Sequence, residues 1–373
     1  MSEEAKTVAP KRVLSGMRPT GRLHLGNYMG ALKNWVALQN EVLPDGSGSG
    51  ETAKYECYFF IADFHALTTD YADTSGLKQN VRDVILDFLA AGLDPKRSVI
   101  FRQSQVLPHF ALHNLLEMIT PLSWLERVPT YKDQQEQLRE KDLATIGFLG
   151  YPVLQSADIL IYQAEFVPVG QDQAAHVEIT REVARRFNHL YGSKRGAADA
   201  KSDKERLAEL EQETDVREIL PEPKVLLTPS PKLPGTDGRK MSKSYGNTIL
   251  LSDPEADVRA KLKTMVTDPA RVRRTDPGNP EVCPVFDLHK VFSTTEIQAQ
   301  AAEGCRTAGI GCIQCKGWVA DAVVAELKPI QERRKYFEEH PAEVDGILSE
   351  GAQRANARAA VTMEQVYAAV GLE

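Results

Sequence analysis

The stretch Arg12–Asn27, RVLSGMRPTGRLHLGN, contains the change of secondary structure that decides the class of fold. Residues Arg12–Ser15 are expected to form a β-strand, the glycines and proline after them form a loop, and a helix is expected to reach Asn40. A strand that passes through a tight loop into a helix is the first unit of an α/β fold. The start of such a helix binds phosphate readily, because its free N–H groups carry a partial positive charge.

The same alternation of strand and helix continues through the first two-thirds of the chain. Three apolar runs are typical of buried strands: Tyr55–Asp63 (YECYFFIAD), Ser98–Phe101 and Phe166–Val169. Helical spacing begins at Ser75 after the first run and covers Val177–Leu190 after the last. The pattern predicts an α/β fold with a doubly wound, parallel, Rossmann-like sheet, whose ligands bind beyond the carboxyl ends of the strands.

The pattern divides the chain into three parts. Residues 1–11 form a polar N-terminal tail, residues 12–255 the Rossmann-like domain, and residues 256–373 an α-helical domain. Two stretches of the Rossmann-like domain are interpreted as surface insertions, LPDGSGSG near 43–50 and a charge-dense segment at 192–223. With 373 residues, the chain is long enough for two such domains.

Composition limits where the protein acts and what it can bind. Lys and Arg total 45 against 52 Asp and Glu, so the net charge is −7 and the surface as a whole does not attract polyanions. Nucleic acid must therefore be bound by local basic patches, such as Arg271, Arg273 and Arg274. No apolar run approaches the roughly 18 residues of a membrane span, and Met1–Arg12 lacks the apolar centre of a signal peptide. We therefore expect a cytoplasmic protein without membrane contact, whose thiols are reduced.

Two segments far apart in the chain are suited to phosphate. In the first, Gly21 and Gly26 allow a nucleotide to approach the backbone, and His24 can donate a hydrogen bond to a phosphate oxygen. In the second, GRKMSKS, the ammonium groups of Lys240 and Lys243 can neutralise the charge that moves onto departing pyrophosphate. A structural histidine in a tight turn and an exposed basic loop are the alternative interpretations.

A polar stripe runs along the helix that is predicted to begin at Tyr151. Its members, at spacings i, i+4, i+7 and i+11 amid apolar neighbours, are Tyr151, Gln155, Asp158 and Tyr162. Left unpaired in a buried helix, such groups would cost about 1–3 kcal/mol each, so either an internal network or a ligand must satisfy them. An indole fits as the ligand, because Asp158 can accept its single ring N–H. Gln173, at the next helix start, is then placed to meet ammonium and carboxylate groups.

Four of the five cysteines lie close together in the pattern C-x21-C-x6-C-x2-C: Cys283, Cys305, Cys312 and Cys315. In a reducing compartment such thiols predict a metal site rather than disulfides. Four thiolates suit zinc or a [4Fe–4S] cluster, and zinc sites more often pair two C-x2-C knuckles where this chain has one. The fifth, Cys57, lies in an apolar strand and is interpreted as a core residue.

Together the two phosphate segments resemble the HIGH and KMSKS signatures of the class I aminoacyl-tRNA synthetases. Residues 240–244 match KMSKS completely, while His24–Asn27 reads HLGN, with a conservative replacement at its second position and a departure at its last. Longer stretches look like the bacterial tryptophanyl-tRNA synthetase family: SGMRPTGRLHLGNYMGAL, YPVLQSADILIY, VPVGQDQAAHVEITREVARRFN and GRKMSKSYGN. The similarity covers nearly the whole chain outside the two insertions.

The resemblance implies a tryptophan–tRNA ligase, which joins tryptophan to tRNA(Trp) through a tryptophanyl-adenylate made from ATP with Mg²⁺. The catalytic residues would be Lys240, Lys243 and His24. ATP contacts are implied for Arg18, Thr20, Gly21, His24, Gly26, Asn27, Lys132, Lys240, Met241, Ser242, Lys243 and Ser244. Tryptophan contacts are implied for His65, Tyr151, Gln155, Asp158 and Gln173.

The resemblance also implies that the helical domain binds the tRNA anticodon loop. Some bacterial members of the family carry a [4Fe–4S] cluster on four cysteines with nearly this spacing, which favours a cluster over zinc at the four cysteines. Nearby, Arg271, Arg273 and Arg274 would bind tRNA phosphates. The segment Leu107–Val128 resembles the family's dimer interface, which implies a homodimer.

Three other functions stay open on the sequence. A tyrosyl-tRNA synthetase shares the chemistry but usually has Gly-Ser-Asp-Gln where residues 170–173 read Gly-Gln-Asp-Gln. A small-molecule adenylyltransferase would lack a tRNA-binding domain and usually the full KMSKS loop. A paralogue without catalytic activity could serve as an iron–sulfur RNA-binding protein, although it would not need to retain Lys240, Lys243, His24 and Asp158.

Overall fold

Five parallel strands form the central sheet of the computed structural model. In chain order the strands are β1 (Lys11–Met17), β2 (Val42–Pro44), β3 (Glu51–Ala53), β4 (Tyr55–Ile61), β5 (Ser98–Arg102), β6 (Phe166–Val169) and β7 (Lys224–Leu227). The sheet has the order β5-β4-β1-β6-β7, while β2 and β3 form a separate antiparallel pair. The chain therefore builds outward from β1 first in one direction and then in the other, which confirms the doubly wound, Rossmann-like sheet.

The structure describes residues 9–44, 51–128, 142–170, 173–192, 215–227 and 232–372, together with Ser202 and Glu205. Three predictions lie wholly or largely outside these residues: the polar tail at 1–11, the insertions near 43–50 and 192–223, and the ATP contact of Lys132. Within the ranges given, no helix combines the length and the apolar character that a bilayer crossing requires.

Helices connect the strands and dominate the chain after residue 255. Numbered α1 to α14 in chain order, they are Leu25–Asn27, Lys33–Asn40, Asp63–Asp70, Leu77–Ala91, Pro108–Ile119, Leu122–Glu126, Ile146–Leu149, Tyr151–Leu160, Ala174–Tyr191, Glu255–Thr264, Pro284–Phe292, Thr295–Arg306, Cys312–Glu339 and Pro341–Val370. A π-helical turn, Tyr28–Leu32, joins the first two. The helix predicted to begin at Tyr151 is α8, whose first turn contains Pro152, a residue suited to a helix start. The predicted helical character of the chain from residue 256 onward is confirmed.

Both faces of the sheet are covered, so successive residues of each strand point into different cores. On one face Val13 and Phe59 pack with Trp35 and Phe88, and the rings of Trp35 and Phe59 stack with their centroids 4.8 Å apart. On the other face Leu14 packs with apolar residues of α5, α8, α9 and α14. Burial on both faces explains why the strands are nearly continuous apolar runs in the sequence.

The last two helices pack back onto the sheet. Helix α13 lies against α4 and α10, and α14 crosses the edge strand β5 and contacts α5. Leu327 of α13 and Val344 of α14 belong to the same buried cluster as Phe59 of β4. The hydrophobic core is therefore continuous across residue 255, and the division of the chain there into two domains stays a prediction.

Candidate active site

A cleft lies at the carboxyl end of the sheet, where the strand order reverses beside β1. It has a volume of about 1190 Å³, and Met17 at the end of β1 and Val169 at the end of β6 both line it. The residues predicted to bind ATP or tryptophan that line it are Arg18, His24, Gly26, Asn27, His65, Tyr151, Gln155, Asp158, Gln173, Lys240, Met241 and Ser242. The two phosphate segments and the polar helix face therefore meet in one cavity, at the place where doubly wound sheets bind ligands.

His24 begins the first helix and is held there by a reciprocal pair of hydrogen bonds. Its Nδ1 accepts the backbone N–H of Asn27 at 3.3 Å, and the Asn27 side-chain oxygen accepts the backbone N–H of His24 at 3.1 Å. The neutral ring therefore carries its proton on Nε2. Burial, together with the charges of Lys243 and Lys240, lowers the pKa of His24 to about 4. At neutral pH this residue is consequently an uncharged hydrogen-bond donor.

Gly26 makes room for the His24 ring. A Cβ at residue 26 would lie 2.9 Å from atoms of the imidazole, closer than real Cβ contacts allow. Any side chain there would push the ring out of its position at the helix start. The glycine of the HLGN motif is thus required by the histidine two residues before it.

Backbone pairing joins the first phosphate segment to the residues that follow the second. The N–H of Leu25 donates to the carbonyl of Ile249, and the N–H of Leu251 donates to the carbonyl of Leu23, each at 2.9 Å. This pairing places the loop 240–244 beside the loop 18–24, although more than two hundred residues separate them in sequence. The contact could not be inferred from either motif alone.

Lys243 closes the second loop against the first. Its Nζ donates to the carbonyl oxygens of Gly21 at 2.8 Å and Thr20 at 3.1 Å, and burial lowers its pKa. Lys240 lines the cleft, whereas Ser244 is exposed beside it. The two ammonium groups predicted to neutralise phosphate are therefore next to the predicted phosphate loop.

Asn247 shapes the loop from inside and was missed by the sequence analysis. Its side-chain oxygen accepts the N–H of Ser242 at 2.8 Å, and its amide donates to Asp237 at 2.7 Å and to the carbonyl of Lys240 at 3.2 Å. Only 2% of this side chain is exposed. The one signal in the sequence is its place after Gly246 in GRKMSKSYGN.

Asp158 lies at the base of the cleft in a network of hydrogen bonds. Its carboxylate contacts His109 Nδ1 at 2.6 Å and His65 Nε2 at 2.9 Å, and Gln103 Nε2 donates to both of its oxygens at 2.8 and 3.0 Å. Burial alone would raise the pKa of Asp158, but the hydrogen bonds from the two histidines outweigh it and lower the pKa to about 2. The network also reaches Tyr162, whose hydroxyl is 2.7 Å from His109 Nε2.

An internal network and a ligand were posed as alternatives for the polar stripe, and the structure has both a network and an open cavity. Asp158 is only 1% exposed, yet it lines the cleft together with Tyr151 and Gln155. Tyr162 is fully buried and does not line the cleft, so its polar group serves the network alone. Of the four residues of the stripe, Tyr162 therefore belongs to the internal network, and Tyr151, Gln155 and Asp158 form part of the cavity wall.

A fourth histidine, His176, connects the two residues predicted to hold the amino-acid backbone. The hydroxyl of Tyr151 lies 2.6 Å from His176 Nε2, and the side-chain oxygen of Gln173 lies 2.8 Å from His176 Nδ1. Gln173 stands at the start of α9, as predicted.

Sequence reasoning missed Gln103, His109 and His176. Gln103 directly follows β5 at the carboxyl edge of the sheet, which was a usable signal. The two histidines are buried polar residues on largely apolar helix faces, and no local pattern marks their partners.

The four cysteines of the predicted metal site are all free thiols near one another. Cys283 is buried and the others are partly buried. Burial, followed by the neighbouring charges of Cys283, Cys305 and Cys312, raises the pKa of Cys315 to about 12. Among the described residues, which include all four thiols, no three His, Cys, Asp or Glu side chains are grouped closely enough to hold a metal ion. The predicted metal site, whether for zinc or for a [4Fe–4S] cluster, is therefore not confirmed.

The three arginines predicted to bind tRNA have different surroundings. Arg271 is buried: its Nη2 donates to the carbonyls of Ile310 at 2.5 Å and Arg274 at 3.1 Å, and its Nη1 lies 3.8 Å from Cys305 Sγ. Arg273 and Arg274 are exposed. The tRNA contact of all three stays a prediction, and the contacts of Arg271 fit a role in holding the backbone at Arg274 and Ile310 together beside Cys305.

The chain is similar over its length to proteins of known activity. The sequence profile of a family described as "tRNA synthetases class I (W and Y)" matches residues 6–328. The tryptophan–tRNA ligase of Thermotoga maritima is 50% identical over 362 residues, which cover 97% of this chain and 99% of that protein. The tryptophan–tRNA ligase of Ralstonia nicotianae is 48% identical over 410 residues, again covering 97% of this chain and 99% of the relative.

A solved structure extends the similarity to three dimensions. The crystal structure of tryptophanyl-tRNA synthetase from Campylobacter jejuni, complexed with ADP and tryptophan, superposes with a TM-score of 0.79. The sequence identity is 33%, and the match covers 96% of this chain and 99% of that chain.

Proposed function

The chain belongs to the class I tRNA synthetases for tryptophan and tyrosine and acts as a tryptophan–tRNA ligase, and we propose that the cleft beside β1 is its active site. The reaction converts ATP, L-tryptophan and tRNA(Trp) into tryptophanyl-tRNA(Trp), AMP and pyrophosphate. One observation carries the choice of the cleft: the phosphate segments and the buried Asp158 line a single cavity. The tyrosine-specific and non-catalytic alternatives are set aside, because relatives at 48% and 50% identity are tryptophan–tRNA ligases.

Formation of the adenylate depends on orientation and charge stabilisation more than on acid–base chemistry. The tryptophan carboxylate attacks the α-phosphorus of ATP, and pyrophosphate leaves with the negative charge. We assign the stabilisation of this charge to Lys240, Lys243 and the Nε2–H of His24. Mg²⁺ bound with ATP supplies further neutralisation of the phosphates. A hydroxyl of the terminal tRNA ribose then attacks the adenylate carbonyl and releases AMP.

The other ATP contacts surround these three donors. Lys243 must exchange protein acceptors for phosphate oxygens, because the carbonyls of Thr20 and Gly21 and the Thr20 hydroxyl, at 3.4 Å, take up the three N–H groups of its ammonium. We propose further contacts from residues of the two loops: Arg18, Gly26, Asn27, Met241, Ser242 and Ser244.

The Asp158 carboxylate is suited to the indole N–H of tryptophan. An ionised carboxylate offers about four acceptor positions. Three donors make four contacts with the two Asp158 oxygens, because Gln103 Nε2 contacts both oxygens while His109 and His65 contact one each. We propose that a bound indole, which has a single N–H, takes the place of one of the two Gln103 contacts. The low pKa of Asp158 keeps it ionised, and therefore a pure acceptor, at physiological pH.

Other residues that line the cleft complete the proposed tryptophan pocket. We propose that Tyr151 and Gln173, linked through His176, bind the backbone of the amino acid. Gln155 and His65 line the space for the ring.

The experiment that tests this proposal is amino-acid-dependent pyrophosphate exchange. The unaltered chain should exchange pyrophosphate with tryptophan and with no other amino acid at a comparable rate. Asp158→Ala should lower the preference for tryptophan over tyrosine and phenylalanine by about 10- to 100-fold, because the indole loses its acceptor. Ser156→Ala is the matched control, since Ser156 is buried on the same helix but bonds to Pro152 and Thr180, away from the cleft. An unchanged preference in Asp158→Ala would refute the assigned role.

We also propose that the four cysteines hold a [4Fe–4S] cluster. A [4Fe–4S] cluster is held by four cysteine thiolates, and the charges of Cys283, Cys305 and Cys312 act on Cys315, so the four thiols are neighbours. The guanidinium of Arg271 beside Cys305 supplies positive charge to an anionic cluster. Once bound, the cluster would stabilise the loop that presents Arg273 and Arg274 to tRNA. Reduced thiols and an ATP-dependent reaction fit a cytoplasmic location.

The cluster proposal is tested by metal analysis of anaerobically purified protein. We expect about four iron atoms and four acid-labile sulfides per chain, and loss of both in Cys312→Ser. One zinc ion per chain with no iron would contradict the cluster.

We propose a homodimer that forms through α5 and α6. Leu107, Met118 and Leu122 expose 70%, 71% and 57% of their surfaces, which is unusual for apolar side chains of this size. All three lie in the segment 107–128 that resembles the family's interface. A second copy of the chain would bury them.

A further inference from the structure

A buried group of charges joins helix α13 to helix α4 and has no part in the mechanism above. Arg334 of α13 is 4% exposed and forms ion pairs with Asp83, at 2.8 Å from Nη2, and with Asp87 through Nη1. Both aspartates lie on α4, one helical turn apart, and Asp87 is completely buried. Charges are costly to bury, so a cluster of this kind calls for an explanation.

The second oxygen of Asp87 reaches the phosphate loop. Asp87 Oδ2 accepts the backbone N–H of Leu23 at 2.7 Å, and Leu23 directly precedes His24. One carboxylate therefore connects Arg334 on one side with the backbone of the phosphate loop on the other. Asp83 also pairs with Arg334, but it contacts the loop only through the half-exposed side chain of Arg22, whose Nε lies 3.5 Å from Asp83 Oδ1.

The same helix also contacts the residues that follow the second phosphate segment. Gln331, one turn before Arg334, donates to the carbonyl oxygens of Asp253 at 2.8 Å and Leu251 at 3.3 Å. The N–H of Leu251 in turn donates to the carbonyl of Leu23. Helix α13 thus contacts one of the two paired backbone segments directly, and the other through Asp87 of α4.

A purely structural ion pair is the competing explanation, because buried charges often serve stability or packing alone. That explanation would treat Asp83 and Asp87 alike, since both pair with Arg334 from the same helix. The contact with Leu23 distinguishes them. The position of Leu23 in the loop matters because it sets the position of His24, and a displacement of about 1 Å in a group at the reaction centre can cost as much as 100-fold in rate.

We propose that Asp87, clamped by Arg334, is a positioning residue for ATP: it fixes the backbone of Leu23 and, through it, the place of the His24 imidazole. The inference rests on the proposed function of the cleft.

Asp87→Asn tests the role with little change in volume. An asparagine has one acceptor oxygen, so its NH₂ group must face either Leu23 N–H or the Arg334 guanidinium, and a donor then meets a donor. We expect kcat/KM for ATP in pyrophosphate exchange to fall about tenfold while KM for tryptophan changes by less than about twofold. Asp83→Asn is the matched control: it weakens the ion pairs of Asp83 with Arg334 and Arg22 but leaves the contact between Asp87 and Leu23, and kcat/KM for ATP should fall by less than about threefold.

A second variant covers the case in which Asp87→Asn does not fold. Arg334→Lys keeps the charge but cannot span both aspartates, and it should also lower kcat/KM for ATP while leaving KM for tryptophan within about twofold. Melting temperatures of all variants show whether stability alone accounts for the effect.

The outcomes separate this inference from the proposed function. Equal losses for ATP and tryptophan, equal effects of Asp83→Asn and Asp87→Asn, or unshifted ATP kinetics in Asp87→Asn would each overturn the positioning role. Absence of tryptophan-dependent exchange in the unaltered chain would instead overturn the proposed function.

Discussion

His24 and Asp158 take opposite roles in the cleft because their neighbours set their protonation. The pKa of His24 is lowered to about 4 by burial and by the two lysines, so the ring is a neutral donor. The pKa of Asp158 is lowered to about 2 by donors that surround it, so the carboxylate is a charged acceptor. At the residue scale, the cleft therefore offers at the same pH a neutral donor, which the proposed function assigns to phosphate, and a charged acceptor, which it assigns to indole.

The lowered pKa of His24 makes stability depend on pH in a defined window. Between pH 6.5 and 4 the unfolded chain takes up a proton at this residue and the folded chain does not, so the free energy of unfolding falls as the pH falls, by up to about 3 kcal/mol. His24→Gln, which cannot titrate, should therefore lose less stability than the unaltered chain between pH 7 and 4.5. Thermal melting without ATP measures this, with exposed His340→Gln as the control. An equal fall in melting temperature from pH 7 to 4.5 in His24→Gln and in the unaltered chain would contradict the prediction.

Lys243 should contribute to the rate of adenylation rather than to tryptophan binding. Its ammonium group already lies at the loop where the phosphates are expected. Lys243→Ala should lower kcat of pyrophosphate exchange by about 100-fold or more while KM for tryptophan stays within a few-fold. The control is Lys335→Ala, because the Lys335 side chain on α13 is 76% exposed. A pure rise in KM for tryptophan would count against the role.

At the element scale, helix α14 lies so close to β5 that one residue of the helix must be glycine. A Cβ at Gly351 would stand 1.8 Å from the carbonyl oxygen of Ile100, whereas a Cβ at Gly346 on the same helix would meet nothing within 4 Å. The contact seats α14 on the sheet edge and leaves no room for adjustment by a side chain, because the atom it meets belongs to the backbone.

Gly351→Ala should therefore reverse the usual effect of alanine in a helix. Alanine is normally more favourable than glycine there by about 1 kcal/mol. At residue 351 the helix must move off β5, and we expect a loss of about 2 kcal/mol or more in the free energy of unfolding. Urea denaturation measures the loss, and Gly346→Ala should be neutral or stabilising. Equal effects of the two substitutions would show that the close approach is absent.

For the whole molecule, the exposed apolar side chains of α5 and α6 predict assembly of two chains. Met118→Glu would place a charge in the centre of the proposed interface, and sedimentation should then show a monomer where the unaltered chain is a dimer. The control is Leu372→Glu, because Leu372 is 63% exposed but lies outside α5 and α6; this substitution should leave the assembly unchanged. A dimer that persists in Met118→Glu would place the interface on another surface.

Local patterns in the sequence determined the class of fold, the strand–helix units, both phosphate segments and the polar face of α8. Each of these depends on residues within one or two helical turns, and hydrophobic periodicity and glycine placement report such short-range structure directly. Asn27 stands where the HIGH signature has its second histidine, and this difference also has a local cause: the Asn27 side chain completes the pair of hydrogen bonds with His24.

Only the tertiary structure decided which buried partners hold these groups in place. Asp158 and His109 are 49 residues apart in sequence, and Asp87 and Arg334 are 247 apart. Such pairs form where two elements pack face to face, and a polar residue on an apolar helix looks the same in sequence whichever partner it has. The identity of the partner depends on the crossing of the elements, which the packing of the whole core sets.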